Sequence, residues 1–346
     1  MKLWHYVVRR VLLLVPVLFG VTLVTFSLSH VIGDPVAAYV TSEQIPEERI
    51  RQIIVAHGLD KPIYEQYLYY LRDLLSGDWG ISRSDSNRPV IVSIANYFPA
   101  TFELTLVAIT ISLVVGIPLG IVSATRKDKS VDHAIRIFSL TGVSMPIFWL
   151  ALIMQYVFFY QLKLLRLPNL PQSQRVDQFV LLDNPLDRIT GLFLFDSFVT
   201  GNFAVFFSAL LHIIMPAFAL SYISLALITR MMRSSMLEVL RQDYITLARS
   251  KGLTERMVIY RHALRNAMIP TVTVAGLAFG GLLSGAVLTE TVFAWPGVGR
   301  WSTSAIVRDD IASIMGFMIL VSAIYVLANL LVDLLYAALD PRIRLG

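Results

Sequence analysis

The chain has 346 residues, of which 56% are hydrophobic and 15% charged, and its mean hydropathy is +0.66. Soluble domains carry about 25% charged residues, so composition argues against a water-soluble globule. With no cysteine, disulfide frameworks, zinc ribbons, thiolate-held clusters and cysteine nucleophiles are excluded. A net charge of +5 fits nucleic acid or membrane, and the hydrophobicity selects the membrane.

Six windows are free of charge: residues 11–33, 104–125, 137–162, 197–229, 266–289 and 311–332. About 20 apolar residues cross a bilayer as a helix, so each window can span. The first is long for a signal-peptide core and no A-x-A site follows it, so it reads as an uncleaved helix. The fourth is overlong, and its polar start at Gly201 and Asn202 places the beginning of the span near Phe203. With the N-terminus inside, 17 of the 29 lysines and arginines fall on the cytoplasmic side, in far fewer residues than the external 12. The positive-inside rule thus orients both termini to the cytoplasm.

Residues 1–33 form the tail and first span, 34–100 an extracytoplasmic helical segment, and 101–346 a five-helix core. In the external segment Pro46 starts a helix whose Ile50, Ile53, Ile54 and His57 share a face, and Gly58 closes it. A second helix follows Pro62, with Tyr64, Tyr67, Leu68, Leu71 and Leu75 on one stripe, and ends at Gly77. Such amphipathic helices pack on each other or on the bilayer surface. Residues 163–202, rich in Pro, Asn and Asp, form an irregular external hairpin or lid.

The cytoplasmic segment 230–265 carries eight basic residues. Yet Met236, Leu237, Leu240, Tyr244, Leu247 and Ala248 recur at helical spacing. Asp243 suits an N-cap, Tyr244 to Lys251 a two-turn helix, Gly252 its stop, and Thr254 the cap of a further helix. Charge alone would let this loop lie on anionic lipid. An apolar face within a cap-and-stop pattern favours a protein partner.

The run Asp243-Tyr244-Ile245-Thr246-Leu247-Ala248-Arg249-Ser250-Lys251-Gly252 resembles the cytoplasmic "EAA" loop of binding-protein-dependent ATP-binding-cassette importers. Ala248 and Gly252 match its second Ala and its Gly, while Thr246 and Leu247 replace its Glu and first Ala. The hydrophobic-x-Leu-Pro element is absent. In its place stands Tyr260-Arg261-His262-Ala263-Leu264-Arg265-Asn266-Ala267, similar to the dipeptide/oligopeptide branch. In chain order the same branch is matched by Gly33-Asp34-Pro35, Gly58-Leu59-Asp60-Lys61-Pro62, Gly77-Asp78-Trp79-Gly80, Ser144-Met145-Pro146 and Arg233-Ser234-Ser235-Met236. Further on it is matched by Thr289-Glu290-Thr291-Val292-Phe293-Ala294-Trp295-Pro296-Gly297-Val298-Gly299-Arg300 and Asp340-Pro341-Arg342-Ile343-Arg344. The insertion 163–202 resembles dipeptide-type subunits more than shorter relatives that take glutathione or nickel.

This resemblance implies an all-α polytopic membrane protein with the type I importer permease fold. It further implies a second homologous permease subunit, two cytoplasmic ATPases that bind ATP and Mg, and an extracytoplasmic solute-binding protein. Consistently, the chain lacks a G-x-x-x-x-G-K-[ST] phosphate loop and any recognisable hydrolase signature, so it is expected to be non-catalytic and cofactor-free. Di- or oligopeptides are the expected solute; an oligosaccharide, glutathione or a nickel chelate is the alternative within the class. The expected ATPase contact comprises Asp243, Tyr244, Leu247, Ala248, Lys251 and Gly252. Trp295, Gly297, Gly299, Arg300 and Trp301 form the expected external gate or docking face, although tryptophans at headgroup depth also serve as plain anchors.

An ion-coupled secondary carrier would place ionisable groups near the midplane. Glu103 and Glu290 fall at external ends of spans and Asp333 near the cytoplasmic end, where each can reach water by snorkelling. No inverted repeat is visible. An intramembrane hydrolase would need clustered ligands or a nucleophile at depth, and His30, His212 and His262 do not cluster. Met145-Pro146 and Met215-Pro216 are expected to break the ladders of spans three and four. In span five, Gly276 with Gly280 and Gly281 with Gly285 permit close helix approach, to the partner permease or within the chain.

Overall fold

The computed structural model describes residues 3–32, 35–40 and 46–339. The motifs at Gly33-Asp34 and Asp340 to Arg344, and the Asp333 side chain, lie outside what is described. Among the described residues six helices are long and apolar enough to cross a membrane, and the protein is a multi-pass membrane protein.

Helix α1 (Leu3–Ile32) leads into two short helices, α2 (Glu47–Ala56) and α3 (Ile63–Ser76), with α3 docked on α1. The start and stop signals of α2 and α3 act as expected. Pro46 and Pro62 occupy the N-cap positions, Gly77 caps α3 at φ +86°, and Gly58 follows α2 at φ +63°. The stripe on α3 divides, however. Tyr67 and Tyr70 turn to α1, their hydroxyls meeting Thr22 and Thr25 at 2.9 and 3.0 Å, while Tyr64, Leu68 and Leu75 stay exposed.

Two-residue strands β1 (Ile81–Ser82) and β2 (Arg88–Pro89) pair antiparallel, with Ile81 opposite Pro89. Then α4 (Val90–Thr125) runs 36 residues. The second span therefore begins well before residue 104, and the boundary expected after residue 100 falls inside a continuous helix. Pro99 and Pro118 sit in it without ending it.

Span three is broken as expected. Helix α5 (Ser130–Ser144) stops at Met145, which is extended (φ −89°, ψ 125°), and α6 (Ile147–Met154) restarts after Pro146. A π-helical turn, Gln155–Gln161, and α7 (Leu162–Leu164) complete it. Span four corrects the matching expectation. After α8 (Gln178–Asp183) and α9 (Phe193–Val199) in the insertion, α10 (Phe203–Val239) is a single helix with Pro216 inside it. It begins at Phe203 with Asn202 accepting from the Val205 N–H at 3.3 Å. Proline leaves one carbonyl without its ladder donor and need not end a helix where its surroundings are buried, as Met215, Pro216 and Ala217 are.

Short helix α11 (Asp243–Ser250) precedes α12 (Glu255–Met257), a π-helical turn Val258–Ala263 and α13 (Leu264–Gly285), which run on as one rod. Helices α14 (Val287–Val292) and α15 (Val298–Val307) lead to the last span, α16 (Ile311–Leu339).

The centre is α4 packed on α10, with α13 against both; α16 lies on α13 and α1 on α16. The α4–α10 contact is close because glycine makes it so. A methyl on Gly120 would lie 2.6 Å from the Met232 Cβ. On α13 a methyl on Gly280 would meet Ala328 of α16 at 2.9 Å, whereas one on Gly281 would meet nothing within 4 Å. Gly280 therefore serves packing within this chain.

Candidate functional site

Two places concentrate the expected site residues, at opposite ends of the helix bundle. At the end that carries 126–129 and 240–254, α11 lies across the tips of α4, α10 and α13. Ile245 and Ala248 are buried with Ile121, Ala124, Met232, Met236, Val258 and Ala263. This corrects the expected face. Ala248 is turned into its own chain, and the apolar face that seemed to need a partner is satisfied internally. What faces outward is Tyr244, 40% exposed, and Leu247, 56% exposed, with Lys251 beside them.

The capping differs in detail. Gln242 holds the N-cap position of α11 and Asp243 opens the first turn, with no side-chain cap bond. A negative charge there still suits the positive end of the helix. Thr254 sits at the N-cap of α12, but its side chain makes no cap bond. Gly252 is left-handed at φ +76°, and a methyl added to it would meet nothing within 4 Å, so backbone alone selects glycine there. Arg249 closes the turn by donating Nε and Nη2 to Glu255 at 3.1 and 2.7 Å, and Asn266 donates to the Tyr244 hydroxyl at 2.7 Å.

Beside it, Asp132 of α5 is fully buried. Arg233 of α10 donates Nε and Nη2 to it at 2.8 Å each, and Ser123 of α4 donates at 2.5 Å. The guanidinium holds the Asp132 carboxyl well below the usual carboxylate range, against the opposing effect of burial. Three helices are thus tied at one carboxylate. Arg233 stands in a motif of the resemblance, but its pairing with Asp132 escaped the sequence because the two lie 101 positions apart.

At the opposite end stands the turn between α14 and α15. Trp295 is fully buried and donates Nε1 to the Ala100 carbonyl at 2.9 Å. Trp301 is buried, stacks on Tyr97 with ring centroids 6.0 Å apart, and donates to Ser82 at 3.3 Å. These tryptophans are core residues, neither headgroup anchors nor a contact surface. Arg300 alone of the pair's neighbours is exposed, giving one N–H to the Ala294 carbonyl at 2.8 Å.

The turn is organised by Glu290. Its carboxylate accepts from the Thr101 hydroxyl at 2.5 Å and from the Arg300 N–H at 2.9 Å, while Thr101 Oγ1 accepts from the Val298 N–H at 2.9 Å. Side chains at Gly297 and Gly299 would overlap that carboxylate, which explains both glycines by close approach. Glu290 is therefore fully buried and does not reach water as expected. Glu103 is buried too. It accepts from Arg175 Nε and Nη2 at 3.0 and 2.6 Å and from the Leu194 N–H at 2.7 Å. The insertion is thereby fastened to α4. Asp196 shapes it further, accepting from the N–H groups of Thr190 and Gly191 at 3.0 and 2.8 Å. Burial works to raise that carboxyl, but the Thr190 hydroxyl, donating at 2.7 Å, and these N–H groups outweigh it, so it lies below its ordinary range.

No group of three or more His, Asp or Glu that could hold a metal is present among the described residues. His30 bonds Gln66, His212 bonds the Ser208 carbonyl and His57 bonds Asp73.

Comparison with known proteins agrees along the whole chain. Residues 116–345 match the family model of the binding-protein-dependent transport system inner membrane component, and residues 3–105 match the model of its N-terminal part. The chain is 46% identical over 345 residues to the dipeptide transport system permease protein DppB of Escherichia coli (strain K12), covering 98% of each. It is 44% identical over 347 residues to the probable D,D-dipeptide transport system permease protein DdpB of the same organism, covering 100% of this chain and 99% of that one. It is 34% identical over 340 residues to the oligopeptide transport system permease protein AppB of Bacillus subtilis (strain 168), covering 98% of this chain and 99% of that one.

Proposed function

The chain belongs to the binding-protein-dependent transport system inner membrane component family, and from that premise we propose that it is the permease subunit of an ATP-driven importer of di- or oligopeptides. In this reading it forms half of a translocation pathway with a second, similar permease. Two ATPases supply the energy, binding ATP and Mg themselves, and an extracytoplasmic binding protein delivers the solute. The termini and the 230–265 loop face the cytoplasm, and residues 36–98 face outward.

One observation carries the reading. Helix α11 is locked to the tips of α4, α10 and α13 by Ile245 and Ala248, yet presents Tyr244, Leu247 and Lys251 outward beyond the spans. A push on that exposed edge moves three helices together. Asp243 and Gly252 fix its two ends. The break at Met145-Pro146 borders a shallow apolar surface depression of about 480 Å³. At the far end, the turn holding Gly297, Gly299 and exposed Arg300 serves as gate or docking edge, with Trp295 and Trp301 as its buried footing. The test is reconstitution: vesicles holding both permeases, both ATPases and the binding protein should take up a dipeptide only with ATP. Omitting this chain should end uptake, and the chain alone should hydrolyse no ATP.

A further inference from the structure

Between the 294–300 turn, the start of α4 and the insertion lies a cavity of about 480 Å³. Arg88, Arg175, Arg188 and Arg300 line it, and no Asp or Glu does. Only one of the four charges is spent on a close ion pair. Arg175 gives two N–H groups to Glu103, behind the wall. Arg188 rests 5.3 Å from the centroid of the Phe193 ring, the ring that Arg175 approaches at 4.0 Å. Arg300 gives one N–H to a carbonyl and keeps the rest of its fork. Arg88 stands 3.9 Å from Asp85, beyond hydrogen-bond reach.

Two further features belong to the same place. The side-chain amides of Asn96, Gln174 and Gln178, all exposed and free of internal hydrogen bonds among the described residues, also line the cavity. Gln174 and Ala294, which meet where the Gln174 N–H donates to the Phe293 carbonyl at 2.9 Å, both hold left-handed backbone, at φ +70° and +48°. Non-glycine residues persist there only where the surroundings enforce it, commonly at ligand clamps.

We propose that this cavity receives a carboxylate, supplied by the C-terminus of a short peptide as it passes to the permease; the identity of the solute rests on the importer reading above. Guanidinium forks match the planar carboxylate with paired N–H donors. The amides, each both donor and acceptor, match the alternating N–H and C=O of a peptide. A phosphate would leave the amide carbonyls without donors. The volume is that of a small-solute site.

The test uses the assembled permease–ATPase complex in nanodiscs, without the binding protein. The probes are the dipeptide Ala-Phe, its C-terminal amide and N-acetylphenylalanine, with binding read by calorimetry. The expected result is at least about tenfold tighter binding of Ala-Phe than of its amide, with N-acetylphenylalanine retained. In Arg188→Gln with Arg300→Gln, and separately in Arg88→Gln, that preference should fall below about twofold with thermal melting unchanged. No acid-over-amide preference, or one that survives in both variants, overturns the proposal. So does a result in which the variants bind free peptide normally but lose capture of the binding protein, since the carboxylate then belongs to a docking protein. If N-acetylphenylalanine binds in an arginine-dependent way while no peptide is bound or transported, the carboxylate pocket stands and the peptide reading falls. Peptide uptake without any acid preference gives the converse.

Discussion

Thr101 and Glu290 lie 189 positions apart in the chain and 2.5 Å apart in space, joined hydroxyl to carboxylate in a site closed to solvent. Through them the first third of α4 and the α14–α15 turn form one body. Thr101 also accepts from the Val298 N–H, and Glu290 from the Arg300 N–H, so each residue satisfies backbone as well as side chain.

Glu290→Ala should therefore strand several donors at once. A buried group left without its partner costs about 1–3 kcal/mol, and more than one is stranded here. Apparent melting of the detergent-purified protein should fall by several degrees, with Glu290→Gln falling less because it keeps an acceptor of the same size. Equal melting of wild type and Glu290→Ala would show that the turn is held by something else.

The two tryptophans and the arginine between them should separate cleanly. Removing a buried aromatic side chain costs about 3–5 kcal/mol, so Trp295→Ala and Trp301→Ala should lower the amount of folded protein in the membrane. Arg300→Ala removes an exposed group and should leave folding intact while lowering ATPase stimulation by the binding protein. Stable, well-inserted Trp295→Ala would contradict the buried position.

Much of this was legible in the sequence, and what escaped shares one cause. Charge-free runs located the six spans, and proline and glycine placed α2, α3 and the start of α10, since these are local effects of backbone and hydropathy. Long-range pairing is not local. Glu103 and Glu290 looked like residues able to snorkel because nothing nearby in the chain announces Arg175 or Thr101. Trp295 and Trp301 bracket a glycine turn as surface anchors would, yet their cavity is made by Ala100, Tyr97 and Ser82. Ala248 matched a motif position, but which side of a two-turn helix is covered depends on Met232 and Val258, which only the fold brings near. Pro216 shows the reverse: a local breaker overruled by packing.

The Asp132–Arg233 link should not titrate at neutral pH. A carboxyl held below its ordinary value contributes stability that is full above the unfolded value, about 4, and is lost as pH falls below it. The melting difference between wild type and Asp132→Asn should thus be constant from about pH 5 to 8 and shrink under more acid conditions. A difference that grows on acidification would reverse the sign and dismiss the ion pair.

Orientation is open to direct labelling, because the chain has no cysteine of its own. Lys61→Cys and Lys251→Cys both place a thiol on an exposed residue. In spheroplasts an impermeant maleimide should label the first and reach the second only after permeabilisation. Labelling of Lys251→Cys alone in intact spheroplasts would invert the topology.

Coupling through α11 is the most demanding expectation, because three substitutions within six positions should fail in three different ways. Gly252 is left-handed with open space around it, so Gly252→Val should strain the backbone by about 1–2 kcal/mol and re-aim the helix without a clash. Leu247→Arg changes an exposed apolar residue and leaves the fold untouched, so its effect should fall only on a partner. Ala248→Arg forces a long cation among Ile121, Met232 and Met236, where an unpaired charge is strongly disfavoured, and should disrupt the chain itself. The measurement combines three readouts: protein recovered from the membrane, ATPases retained on purification, and uptake in vesicles. Leu247→Arg should insert normally but release its ATPases, Gly252→Val should retain them in part and transport poorly, and Ala248→Arg should be recovered in low amount. If Leu247→Arg keeps its ATPases and transports like wild type, the exposed edge of α11 is not the contact and the coupling role assigned to it is wrong.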